Sequence, residues 1–257
     1  MKIALGAALA MIIAAVAALF FGQGNLLYPV PRPARTPGPE LGELIELRST
    51  VATWIAPLGT SPVIIHFHGN AEQLATLGPV VSPLRARGLG VLAVEYPGYG
   101  LAKGAPSQRP IVAAAVEAFD FAVEQLRVPP ERLVVQGQSL GSAVAAQLVA
   151  QRGAARLVLI SPFTSVQDFA TRLFPSPARH LVRDRFDTRA IAPGIRIPVL
   201  IIHGTDDELV PFAMGEELAR SFPAARLMRV QGGGHNDLWA RHATVLASAI
   251  THFAKGE

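Results

Sequence analysis

The chain has 257 residues, half of them apolar, and its 23 Lys and Arg against 19 Asp and Glu leave a formal charge of only +4. That length suits one α/β domain or two small ones, and scattered arginines with no basic stripe between aromatics argue against a nucleic-acid partner. Without cysteine there is no disulfide, thiol nucleophile or thiolate metal site.

Met1-Lys2 precedes nineteen residues without a charge, Ile3 to Phe21. As a helix this run would reach about 28 Å, near the thickness of a bilayer core. It exceeds the 7 to 15 residues or so of a secretory signal's apolar core, and no small-x-small cleavage site follows it. We therefore expect residues 1–24 to form a single-pass signal anchor, with a cleaved signal as the alternative. Lys2 before the run and Arg32 and Arg35 after it nearly balance, so charge does not set the orientation. The architecture of a signal anchor favours the bulk of the chain on the translocated, periplasmic or extracytoplasmic side. Residues 25–41 hold prolines at 29, 31, 33, 37 and 39 and read as an extended tether.

Residues 42–257 read as the globular domain. Glu43 to Arg48 and Val51 to Ala56 predict a hairpin, and Val63 to Phe67 the first buried strand. Glu72 to Arg87 predicts a helix interrupted near Gly78-Pro79, followed by a strand from Gly90 to Glu95 and a turn-rich loop, Tyr96-Pro97-Gly98-Tyr99-Gly100. A helix from about Pro110 to Leu126 leads to the strand Arg132 to Gln136, and a helix from Gly141 to Gln151 to the strand Ala155 to Ile160. Residues 161–196 break the rhythm with Phe163, Phe169, Phe174 and Phe186 among prolines and arginines. They read as a short lid over the carboxyl edge of the sheet, against a packed crossover as the plainer alternative. The strands Pro198 to His203 and Arg226 to Val230, and the helices Ala213 to Ser221 and Asp237 to Phe253, complete an alternation of short strands and helices. This pattern predicts a mostly parallel central sheet covered on both faces.

The chemistry centres on Gly137-Gln138-Ser139-Leu140-Gly141, a G-x-S-x-G pattern between a strand and a helix. Such a turn holds a serine on a strained corner with its hydroxyl exposed, and small flanking residues let the helix pass close to the strand. A serine needs a base, and the base works better when a carboxylate fixes its tautomer. His235, after Gly232-Gly233-Gly234 and before the last helix, is the candidate base. For the acid, spacing leaves Asp206, Asp207 and Glu208 open, while Asp237 is placed to cap the final helix. The oxyanion donors expected are the backbone N–H groups of Leu140 and Asn70. His66 and His68 share a strand face but lack a third ligand, so no metal is expected; His68 is expected to order the following loop through side-chain hydrogen bonds, and His203 to bond to nearby backbone.

Six stretches carry a family resemblance: His68-Gly69-Asn70-Ala71, Glu95 to Gly100, Gly137 to Gly141, Ser161-Pro162-Phe163-Thr164-Ser165, His203 to Pro211, and Gly234-His235-Asn236-Asp237. In this order the chain resembles the α/β-hydrolases, and within them the Bem46-like, ABHD13- and ABHD17-like membrane-associated serine hydrolases, which overlap the serine aminopeptidase S33-like group. The resemblance implies an α/β-hydrolase fold and places the triad acid on Asp207. It also implies Asn70 and Leu140 as oxyanion donors and a short lid insertion. The expected activity is hydrolysis of carboxylic esters or thioesters through an acyl-enzyme on Ser139, without metal or organic cofactor. The expected partner is a small acyl ester or thioester, including lipids and acylated proteins, its acyl chain held by Phe163, Phe169 and Phe174. The alternatives are a serine peptidase or amidase, and an inactive membrane-tethered binding protein.

Overall fold

The computed structural model describes residues 22–24, 26–173 and 181–257. Short runs, rich in β-branched residues in the inner strands, form β1 (Glu43–Glu46), β2 (Val51–Ile55), β3 (Val63–Phe67), β4 (Gly90–Val94), β5 (Leu133–Gln138), β6 (Arg156–Ile160), β7 (Val199–Gly204) and β8 (Ala225–Val230). They join in one eight-stranded sheet ordered β1-β2-β4-β3-β5-β6-β7-β8. The β1–β2 hairpin is antiparallel, as is the β2–β4 pairing, and the pairs from β4 onward are parallel. The mostly parallel sheet is what the alternation of elements predicts, and its architecture is the α/β-hydrolase fold that the family resemblance implies.

Both faces of the sheet are covered, so the central strands are buried along their whole length and mostly apolar rather than alternating, with His66 and Gln136 as a buried polar pair. Val63, Ile65 and Phe67 pack with α2 (Gln108–Glu124) and α3 (Leu140–Arg152), while Ile64 packs with α1 (Gly78–Arg85) and α7 (Leu238–Lys255). The predicted helix over 72–87 divides at Gly78-Pro79 into a 3₁₀ turn, Leu74–Thr76, and α1. Proline is accommodated there because the first helical turn has no intrahelical use for its missing N–H.

Strand order reverses at β3, which lies between β4 and β5. The crossovers leave in opposite directions there, the kind of switch point at whose carboxyl edge open α/β sheets bind ligands. His68 and Ser139 directly follow those two ends.

Within 161–196 the described residues form α4 (Val166–Leu173), α5 (Thr188–Ile191) and a 3₁₀ turn, Ala192–Gly194. Phe186, Ala192 and Ile195 are buried in the sheet's own core. Arg189 bridges Asp168 at 3.1 Å and Glu217, on α6 (Phe212–Ser221), at 2.8 Å. Residues 174–180, with Phe174 and His180, lie outside the described residues.

The expected membrane placement is corrected. Among the described residues no helix is long and apolar enough to cross a membrane. The run 3–21, on which the signal anchor, the membrane as partner and the translocated location all rested, lies outside them. The start of the expected tether lies on the domain: Tyr28 is buried and its hydroxyl donates to Asp184 Oδ2 at 2.7 Å, while the Gln73 amide takes the Arg35 N–H at 2.8 Å and donates to Pro33 O at 3.3 Å.

Candidate active site

The corner between β5 and α3 holds Ser139 at φ 51°, ψ −114°, in the left-handed region that side chains rarely occupy. Close packing forces it there. A Cβ on Gly137 would lie 1.9 Å from Gly141 O, and one on Gly141 would lie 2.1 Å from Phe67 O, so strand, turn and helix meet backbone to backbone. Ser139 N–H donates to Ile160 O at 2.9 Å, and the Ser142 hydroxyl donates to Ser139 O at 2.6 Å. These bonds hold the strained residue in place and leave its own hydroxyl directed at the loops.

His235 arrives from the loop after β8. Its Nε2 lies 3.0 Å from Ser139 Oγ and its Nδ1 lies 2.8 Å from Asp207 Oδ2. The ionised carboxylate only accepts, so Nδ1 carries the proton and Nε2 offers its lone pair to the serine hydroxyl. Of the three acids that spacing left open, Asp207 meets the ring. Asp206 takes the Thr205 hydroxyl at 2.9 Å, and Glu208 takes the His235 backbone N–H at 3.2 Å.

Asp207 Oδ1 accepts the N–H groups of Leu209 at 3.0 Å and Val210 at 2.7 Å, while Oδ2 also lies 3.3 Å from His203 Nε2. Burial alone would push this carboxyl up. Bonds with His203 and His235, the charge of His235 and the Val210 N–H outweigh it and hold the group well below the usual carboxylate range. His203 Nε2 is also 2.9 Å from Val210 O, the backbone bond expected of it.

Leu140 is the first residue of α3, so its N–H has no acceptor within the helix and sits at the positive end of the helix dipole. Asn70 has both ends of its amide occupied, Nδ2 donating to Leu27 O at 2.5 Å and Oδ1 accepting the Tyr99 hydroxyl at 2.6 Å. What it can offer a substrate is its backbone N–H. A Cβ on Gly69 would come within 3.7 Å of Ser139 Cβ, so the 68–70 loop passes beside the serine. Phe163 is buried and Phe169 half-buried, with ring centroids 6.4 Å apart. Phe174, the third expected acyl contact, lies outside the described residues.

The two strand histidines have separate surroundings. His66 accepts a hydrogen bond from the Gln136 amide at 3.0 Å, and burial, with His68 nearby, pushes it down to about 3. His68 binds Gly69 O at 2.8 Å and Glu95 Oε1 at 2.7 Å. Asp237 stands at the N-cap of α7, but its side chain turns back to accept the Gly234 N–H at 2.8 Å and pairs with Arg241 at 2.8 Å. Three contacts escaped the sequence reading: His203 on Asp207, Glu95 on His68, and Glu72 Oε2 on the Gly69 N–H at 2.6 Å. The four-residue spacing of His203 and Asp207 was visible, but a strand end does not reveal which way the following turn folds.

The serine aminopeptidase S33 family matches residues 60–186, and the alpha/beta hydrolase fold family matches residues 167–241. Uncharacterized protein Rv2307c of Mycobacterium tuberculosis is 36% identical over 197 residues, covering 76% of this chain and 70% of its own. Alpha/beta hydrolase domain-containing protein aho-3 of Caenorhabditis elegans is 32% identical over 213 residues, covering 77% of this chain and 62% of its own. Among solved structures, the esterase Pf2001 of Pyrococcus furiosus superposes with a TM-score of 0.73 at 19% identity, over 88% of this chain and 98% of that one. The chain belongs to the α/β-hydrolase superfamily. It is a hydrolase of the α/β type.

Proposed function

We propose that the protein is a serine hydrolase that cleaves carboxylic ester or thioester bonds of hydrophobic acyl substrates through an acyl-enzyme on Ser139. The observation that carries this reading is the continuous relay of Ser139 Oγ to His235 Nε2 at 3.0 Å and His235 Nδ1 to Asp207 at 2.8 Å. His235 takes the hydroxyl proton as Oγ attacks the substrate carbonyl, and Asp207 stabilises the imidazolium so formed. The N–H groups of Leu140 and Asn70 receive the oxyanion. The imidazolium passes its proton to the leaving alcohol or thiol, and His235 then activates water to release the acid. The apolar pair Phe163 and Phe169 supports an acyl substrate.

A second reading, amide or peptide hydrolysis, is favoured by the match to the serine aminopeptidase S33 family. The same acyl-enzyme would serve, with an amine as leaving group. The test is labelling of the purified protein with a fluorophosphonate, alongside Ser139→Ala and His235→Ala, followed by p-nitrophenyl esters, thioesters and peptide amides. Wild type is expected to label and both variants to fail. Folded wild type that does not label would sink the proposal, and turnover of amides alone would transfer it to the second reading.

A further inference from the structure

We propose that His68, paired with Glu95 and assisted by Glu72, is a positioning device that aims the Asn70 N–H at the carbonyl attacked by Ser139. The inference rests on the serine-hydrolase reading and concerns what holds the oxyanion donor in its orientation.

The device works on the peptide groups at either side of Gly69. On one side the Gly69 N–H donates to Glu72 Oε2 at 2.6 Å, and on the other the Gly69 carbonyl faces His68 Nδ1 at 2.8 Å. In a planar trans peptide the C=O and the following N–H point in opposite directions. A carbonyl held against the His68 ring therefore sends the Asn70 N–H the other way. Rotation of that peptide would break the bond to His68 and leave a buried ring N–H without its acceptor, an unfavourable exchange.

The charge state follows from the partners. Gly69 O can only accept, so Nδ1 is a donor, and Nε2 faces the Glu95 carboxylate at 2.7 Å. Both ring nitrogens donate only when the ring is an imidazolium. The two side chains are 0% and 2% exposed, so the charges meet out of water, where an unpaired partner would be costly. Glu95 is itself fixed, its Oε2 accepting the Leu74 N–H at 3.0 Å, and the Tyr96 hydroxyl donates to His68 O at 2.6 Å. The titratable groups around the ring are Glu95, Tyr96 and Tyr99 at and beyond the end of β4, Glu72 on its own loop and His66 on β3. Burial alone would lower the imidazole; the Glu95 bond and charge, then Glu72 and the Gly69 carbonyl, reverse this and keep the ring charged to higher pH than a free histidine.

Glu95→Gln keeps an acceptor in place while removing the charge, so a neutral ring must divide one proton between Gly69 O and the new amide. Glu72→Ala removes the acceptor of the Gly69 N–H, and Glu72→Gln restores it. The experiment measures kcat and KM of the full chain on a p-nitrophenyl ester from about pH 6 to about pH 8.5, with Ser139→Ala as the blank. For Glu95→Gln we expect kcat to fall about a hundredfold near pH 8, the cost of a misplaced oxyanion donor, with KM held within about twofold. The ratio of variant to wild-type kcat should climb as pH falls and the ring recovers its proton, which normalises for the titration of His235. Glu72→Ala should lower kcat at constant KM, with recovery in Glu72→Gln. Because Glu72 is half-buried and its bond is to the Gly69 N–H, this arm decides the matter if Glu95→Gln fails to fold. Wild-type kcat in both Glu95→Gln and Glu72→Ala, or a loss that is the same at every pH and in both Glu72 variants, would overturn the positioning role and leave the serine-hydrolase reading standing. Wild type with no turnover above Ser139→Ala would overturn both.

Discussion

Asp207 illustrates how a single side chain acquires its chemistry from neighbours that sequence does not reveal. Two backbone N–H groups hold one oxygen, and His235 and His203 lie against the other. Its folded pKa lies below the unfolded value of about 3.9, so its ionised form contributes stability that is fully present above that value. The contribution is lost as pH falls toward the folded pKa. Asp207→Asn should therefore be less stable than wild type near neutrality, with the gap closing in acid, as followed by urea unfolding from about pH 7 to about pH 3. A gap that stays constant over that window would contradict the linkage. On the proposed mechanism the same variant should lose about four orders of magnitude in kcat, because an amide no longer fixes the productive tautomer. Residue types at Ser139 and His235 were legible in sequence because glycines beside them announced tight turns. The acid was not legible from spacing, since Asp206, Asp207 and Glu208 are adjacent and only the fold of the turn separates them.

The unit of β3, β5 and α3 is governed by close backbone approach. Gly141 is required because a methyl group there would press on Phe67 O and His68 O at 2.1 and 2.6 Å, both backbone atoms that cannot yield independently. Gly141→Ala should destabilise the fold by about 1–3 kcal/mol, the range for overpacking, as read by chemical denaturation. An unchanged midpoint would mean that the helix can shift away from β3. Fluorophosphonate labelling should fall as well, since the same displacement moves Leu140. The strands and helices themselves were largely legible. β-branched runs of four to six residues and an alanine-rich periodic segment identify their elements locally. The interruption of 72–87 at Gly78-Pro79 was legible too, although its first half is a 3₁₀ turn rather than a helix. The segment 161–196 was less so: it is partly a packed crossover because Phe186 and Ile195 find the sheet's core.

In the molecule as a whole, the segment ahead of the sheet is bound to distant elements. Tyr28 donates to Asp184, which also takes the Gln108 N–H at 3.1 Å, while Leu27 O receives the Asn70 amide. Burial first, and Asp184 second, push the Tyr28 phenol well above its ordinary value, so it remains a neutral donor at working pH. Tyr28→Phe should cost about 2 kcal/mol, the worth of a hydrogen bond to a charged group, measured by urea unfolding. A loss near zero would show that this hydrogen bond contributes nothing to stability. The sequence alone determined the parallel α/β architecture and the strained serine corner, because each depends on periodicity or on residues a few positions apart. Tertiary structure alone decided that Asp207 is the acid that meets His235, that His68 is paired with Glu95, and that the proline-rich start lies against Asp184, Gln73 and Asn70. Those contacts join residues far apart in the chain or turn on the path of a loop, and their energies come from burial and pairing that exist only once the sheet has brought its carboxyl ends together.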